Sequence, residues 1–97
     1  MADFILFMHT DVPPNAPSEG WDEYLDKLKS GGRLGGGSAV GSGQCFRRGR
    51  DPAPLSSRIG GYIRVTADDM ADARTLLAGN PVYEAGGTVE IRELPKS

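Results

Sequence analysis

The sequence predicts an α+β domain, with two helices covering one face of a four-stranded antiparallel sheet in the chain order β-α-β-β-α-β. Three observations carry this expectation. Short apolar or alternating runs at Phe4–Met8, Gly61–Val65 and Thr88–Leu94 have strand character. Two stretches with helical spacing of apolar residues fall between them. Glycine and proline clusters separate the runs and mark where the chain must turn.

Phe4–Met8 (FILFM) is apolar on both alternating faces, the pattern of a central strand covered on two sides. Asp11–Pro17 holds three prolines in seven residues and cannot be regular structure. Ser18 then offers an N-cap. Trp21, Leu25 and Leu28 follow at i, i+4 and i+7, with Tyr24 on the same stripe and Asp22, Glu23, Asp26, Lys27 and Lys29 opposite. Gly31-Gly32 ends this helix through the left-handed conformation that glycine tolerates.

Residues 31–43 hold seven glycines. The spacing fits neither nucleotide fingerprint: no Lys-Ser/Thr follows the second glycine of GGSAVGSG, and no GxGxxG is present. A glycine-rich strand with a bend or bulge is expected instead. Gly41-Ser42-Gly43 reads as a turn into a strand at Gln44–Arg48, an extra hairpin between the two halves. A loop with Pro52 and Pro54 follows.

Gly61–Val65 places Ile63 and Val65 on one face and Tyr62 and Arg64 on the other. Thr66-x-x-Asp69 resembles a capping box ahead of a helix bearing Met70, Ala73 and Leu77, supported by Ala71 and Leu76. Gly79-Asn80-Pro81 ends it. The last strand turns Val89 and Ile91 inward and Glu90 and Arg92 outward. This order is the split βαβ, ferredoxin-like arrangement. Since the first strand is apolar on both sides, the second sheet face should be covered too, and a second copy of the chain is the expected cover.

Bulk properties exclude several functions. Ninety-seven residues make one domain, 1–97, with one modest core. The net charge of −2 and the single short cluster Arg47, Arg48, Arg50 speak against a nucleic-acid partner. The apolar run is too short to span a membrane and lacks the features of a signal peptide, so no membrane partner and a cytoplasmic setting are expected. Cys45 is the only cysteine and His9 the only histidine, which leaves no recognisable metal-ligand pattern. No metal and no cofactor are expected.

Two readings of His9 stand side by side. An imidazole at a strand end is a suitable general base, and Asp11 at i+2 is placed to orient it while the chain stays extended. In the plainer reading His9 is a polar strand end and Asp11 a turn residue before Pro13-Pro14. Trp21 is either a core anchor or a stacking surface for an apolar ligand. Arg64 and Arg92 on one predicted face either clamp a carboxylate or pair with Glu90 and partner carboxylates.

The motifs Gly60-Gly61-Tyr62, Asp72-Ala73, Asn80-Pro81, Gly86-Gly87 and Val89-Glu90-Ile91-Arg92 stand in this order. With the first strand leading to Asp11 and the step Gly32-Arg33-Leu34, the chain resembles the YCII-related superfamily, most closely its DGPF branch, over nearly its whole length. It departs from that branch before the third strand, where Asp-Gly-Pro-Phe is replaced by RDPAPLSSRIGG. The resemblance implies a dimeric α+β barrel in which two sheets face each other around a cleft. It also implies that the family's His and Asp fall at Trp21 and Asn80, so that the family dyad is replaced. Trp21, Tyr62, Arg64, Asn80 and Arg92 are then candidate ligand-binding residues for a small organic molecule. Two alternatives remain: a cofactor-free enzyme with His9 as base and Asp11 as its orienter, and an accessory module bound to a regulatory protein partner, since relatives of this branch are linked to sigma-factor regulation.

Overall fold

The computed structural model describes residues 1–16 and 19–96. Four strands, β1 (Ala2–His9), β2 (Leu34–Ala39), β3 (Ile59–Ala67) and β4 (Val89–Leu94), form one antiparallel sheet in the order β2-β3-β1-β4. Helix α1 (Trp21–Ser30) links β1 to β2 across the intervening β3. The short helices α2 (Met70–Thr75) and α3 (Pro81–Glu84) link β3 to β4 across β1. β1 lies between β3 and β4, as its two-sided apolar pattern requires.

Side chains alternate along β1. Phe4, Leu6 and Met8 are buried, while Ile5, Phe7 and His9 are half-buried on the other face. The buried set joins Ile63, Val65 and Ala67 of β3, Tyr24 and Leu28 of α1, and Ala73 and Leu77 behind β3 in one core. All helices therefore lie on the same face. The thinnest dimension of the molecule is 19 Å. That is room for one sheet and one helical layer, each about 10 Å deep, and for nothing over the second sheet face.

Local signals explain where the elements stop. The Ser18 cap expected for α1 lies outside the described residues; the residue before the helix is Gly20, whose φ of 99° favours glycine and which offers no side chain. At the other end Arg33 N–H donates to Leu28 O and Gly32 N–H to Lys29 O, with Gly32 left-handed. This is a Schellman closure, one residue beyond Gly31. Thr66 is not a cap but part of β3. Asp69 caps α2 by accepting from Asp72 N–H, and the Asp72 carboxylate accepts from Asp68 N–H. Met70 and Ala71, expected on the buried stripe, are exposed, because six residues of helix present only Ala73 to the sheet. Gly79-Asn80-Pro81 does more than stop a helix. Asn80 Oδ1 accepts from Val82 and Tyr83 N–H and starts α3, with Pro81 at a first-turn position that has no N–H to lose.

The hairpin expected at Gln44–Arg48 is absent. Residues 40–58 carry no strand or helix among the described residues and form an arm leaving the sheet between β2 and β3. Its glycines and prolines resist pairing, and its apolar residues have no face to bury. The radius of gyration is 14.9 Å, against about 12.5 Å for a compact chain of this length. The protruding arm accounts for the excess.

Candidate functional site: an apolar cleft under helix α1

The spacing within α1 sends Tyr24 and Leu28 into the core and leaves Trp21 and Leu25 half-buried. Opposite them run β2 and the start of β3, where Gly36, Gly37 and Gly61 stand instead of side chains. The missing volume is a cleft of about 600 Å³, within the usual size range for small-molecule sites. Trp21 and Leu25, Val82 of α3, and Met8 and Ile63 of the sheet make its walls apolar. Gly37 is also fixed by its own backbone: a Cβ there would sit 2.5 Å from Tyr62 O. Any larger residue must push β2 off β3, so the smooth floor is a condition of the strand pairing.

Trp21 is held from behind. Its ring meets Tyr24 edge-to-face with centroids 6.1 Å apart. The Tyr24 hydroxyl donates to Leu76 O at 2.7 Å. Burial raises the Tyr24 phenol above its ordinary pKa; the Asn80 amide beside it acts in the opposite direction, although Asn80 Nδ2 makes no hydrogen bond of acceptable geometry among the described residues. Asn80 itself is fully buried. It organises the wall behind the cleft and does not line it.

A second constellation lies on the uncovered sheet face. The strand register sets Arg64, Ile5 and Arg92 in one row and Tyr62, Phe7 and Glu90 in the next. His9 Nε2 lies 3.0 Å from Glu90 Oε1, and Arg92 Nη1 donates to Glu90 Oε2 at 3.1 Å. Hydrogen bonds from His9 and then Arg92 hold the Glu90 carboxyl below its ordinary pKa. An ionised carboxylate only accepts, so His9 Nε2 carries the proton and a neutral ring exposes Nδ1 as the basic site. Glu90, not Asp11, is the partner of His9. Asp11 is occupied elsewhere: its carboxylate accepts from Thr88 N–H at 2.8 Å and from Thr88 Oγ1 at 2.6 Å, joining the end of β1 to the start of β4.

The structure therefore divides the residues expected at one site. Trp21 borders the cleft; Tyr62 meets it only through its backbone and turns its side chain, with Arg64 and Arg92, to the uncovered face; Asn80 is structural. Arg64 and Arg92 are separated by β1, which puts their backbones about 10 Å apart, and Arg92 is already paired. A two-arginine clamp on one carboxylate is not formed. Leu25, Val82 and the β2 glycines were not singled out as site residues, and neither was Glu90 as the partner of His9. Trp21 and the glycine run are the local signs of the cleft; the Glu90 contact depends on strand register between residues 81 apart in sequence. Among the described residues no group of three or more His, Cys, Asp or Glu could hold a metal ion, and no helix is long and apolar enough to cross a membrane.

Three carboxyls share one consequence. Asp11 (held down by the Thr88 hydroxyl and N–H), Asp72 (by Asp68 N–H and Arg33) and Glu90 all have pKa values lowered from 3.8, 3.8 and 4.5. A depressed folded-state pKa contributes stability that is full above the unfolded value and is lost as pH falls through the folded one. Melting temperature is expected to drop as pH falls from about 5 to about 2. Asp11→Asn should remove part of that slope; an unchanged slope would show that the Asp11–Thr88 lock contributes nothing.

No family model and no curated protein matches this chain.

Proposed function

We propose that this chain is a dimeric α+β barrel of the YCII-related type that binds a small, flat and largely apolar organic molecule in the cleft under Trp21. The observation that carries the ligand reading is the cleft itself: about 600 Å³ with apolar walls and a glycine floor. The ferredoxin-like assignment draws support from the strand order β2-β3-β1-β4, with each helical connection crossing over a strand. The dimer draws support from Ile5, Phe7 and Tyr62, apolar side chains on the uncovered face that one chain leaves half-exposed.

Trp21 is the only tryptophan of the chain, so its emission reports on the cleft directly. A neutral apolar dye such as N-phenyl-1-naphthylamine is expected to bind once per chain and to quench Trp21. Leu25→Arg puts a charge in the apolar wall without disturbing helix propensity. It should weaken binding at least about tenfold, or about 1.4 kcal/mol. Dye binding that Leu25→Arg leaves unaltered would remove the cleft from consideration.

One observation favours a second reading. The Glu90–His9 pair is the arrangement of an oriented general base, with Nδ1 as the proton acceptor. In this reading the chain is a cofactor-free enzyme working on the uncovered face, opposite the cleft. His9→Ala should then abolish turnover of any substrate found, while leaving dye binding intact. Retained turnover would eliminate His9 as the base.

A further inference from the structure

We propose that the arm of residues 40–58 docks on a second copy of this chain, with Phe46 covering the mouth of that copy's cleft and the neighbouring arginines pairing with carboxylates around the start of its α1. The proposal rests on the cleft assigned above and on a paired chain, but not on the ligand.

The arm is unlike the rest of the molecule in charge. Four arginines and one aspartate give it +3; the total of −2 leaves −5 for the remainder. It also exposes apolar groups that it does not bury: Phe46 is 85% exposed, Leu55 50% and Val40 44%. Phe46 stands immediately before Arg47 and Arg48, with Arg50 two residues further on. An aromatic anchor beside arginines is the composition of an interface centre.

The complementary surface is on the same chain. Glu19, Asp22 and Glu23 line a shallow depression around the start of α1, and Trp21 belongs to both this depression and the apolar cleft. An apolar hollow edged by carboxylates fits an aromatic ring flanked by guanidinium groups. Among the described residues none of these arginines or carboxylates makes an ion pair within its own chain. Both halves of the contact are therefore unused in one copy.

Area favours a second copy as the occupant. Four strands spaced about 4.8 Å apart and about 20–25 Å long offer a footprint of about 450 Å². That is about half of what a standard interface buries on each partner. Two exchanged arms, related by the dimer axis, add contact on the scale that is missing, and the same patch serves both subunits. The arm springs from between β2 and β3, beside Ala39 and Gly60 at the edge of the cleft, and leaves its apolar groups exposed.

Unique residues make the test direct. Cys45 is the only cysteine and precedes Phe46; Trp21 is the only tryptophan. A Trp21→Phe chain carrying a dansyl-type acceptor on Cys45 is mixed in large excess with unlabelled wild type, so that most wild-type chains meet a labelled partner and transfer from Trp21 can occur only between chains. Loss of most Trp21 emission on mixing is expected. Phe46→Ser or R47E/R48E in the labelled chain should abolish it, and D22K/E23K in the unlabelled chain should restore it to the R47E/R48E partner. Transfer within a labelled wild-type chain but not between chains would mean that the arm folds onto its own cleft, and would overturn the proposal. So would a dimer by sedimentation that shows no transfer, an outcome that leaves sheet pairing standing. Binding of the arm to a polyanion such as duplex DNA, without transfer between chains, would overturn it as well. Dye binding, read separately, tells whether the ligand assignment fails with it.

Discussion

Phe7→Asp is expected to give a folded monomer at concentrations where the proposed dimer forms. Phe7 lies on β1, in the middle of the uncovered face, with Tyr62 on one side and Glu90 on the other. Its side chain is only half-buried, so the fold of one copy does not depend on it. In the proposed face-to-face pair Phe7 becomes buried, and a buried interface aromatic typically carries about 2 kcal/mol or more of the binding energy, or about thirtyfold. Replacing it with a carboxylate in both copies, beside Glu90 from each, adds repulsion to that loss. Sedimentation velocity at about 10 µM protein should show the change in mass with an unaltered circular dichroism spectrum. A variant that stays dimeric, or a wild type that is already monomeric, would mean that the sheet face is not the interface.

The largest stability effect is expected at Phe4. Its side chain is 1% exposed, one face away from Phe7 and three residues before it. Phe4→Ala should destabilise the fold by about 3–5 kcal/mol, the sum of lost burial and an unfilled cavity. The whole stability of a domain of this size is about 5–15 kcal/mol. The melting temperature should fall on the order of 15–30 °C at fixed protein concentration. Phe46→Ala is the internal control: at 85% exposure it should change monomer stability by less than about 0.5 kcal/mol. Similar losses for the two variants would contradict the division between core and arm.

These two phenylalanines also show what the sequence makes legible. The run FILFM carries two alternating apolar faces, and only a central strand has use for both; the structure puts β1 there. β3 alternates cleanly, and its inward and outward residues fall as expected. Capping was less legible, because Thr66, Asp68, Asp69 and Asp72 are all chemically able to start α2. Register and three-dimensional approach decide that Asp69 and Asp72 do so. Residues 44–48 looked like a strand because Cys45 and Phe46 are good strand formers. No neighbouring strand is left to pair with them, and strand propensity without a partner gives an arm.

The site was harder to read for a related reason. A cleft is made by side chains that are missing, and Gly36, Gly37 and Gly61 carry no chemistry to notice. His9 beside Asp11 in FMHTD looked like a pair because the two are close in sequence. The structure spends Asp11 on Thr88 and gives His9 to Glu90, a choice set by the pairing of β1 with β4. Local spacing proposes partners, and strand register selects among them.

The central claim is that the apolar cleft, and not the uncovered sheet face, takes the ligand. The most direct measurement is a titration of ¹⁵N-labelled protein with 2-naphthol, followed by amide and indole shifts. Saturable shifts confined to the Trp21 indole N–H and the amides of Leu25, Gly37, Gly61 and Val82 are the predicted result. Shifts that gather instead at Ile5, Phe7, His9 and Arg92, or no saturable shifts at all, would contradict it.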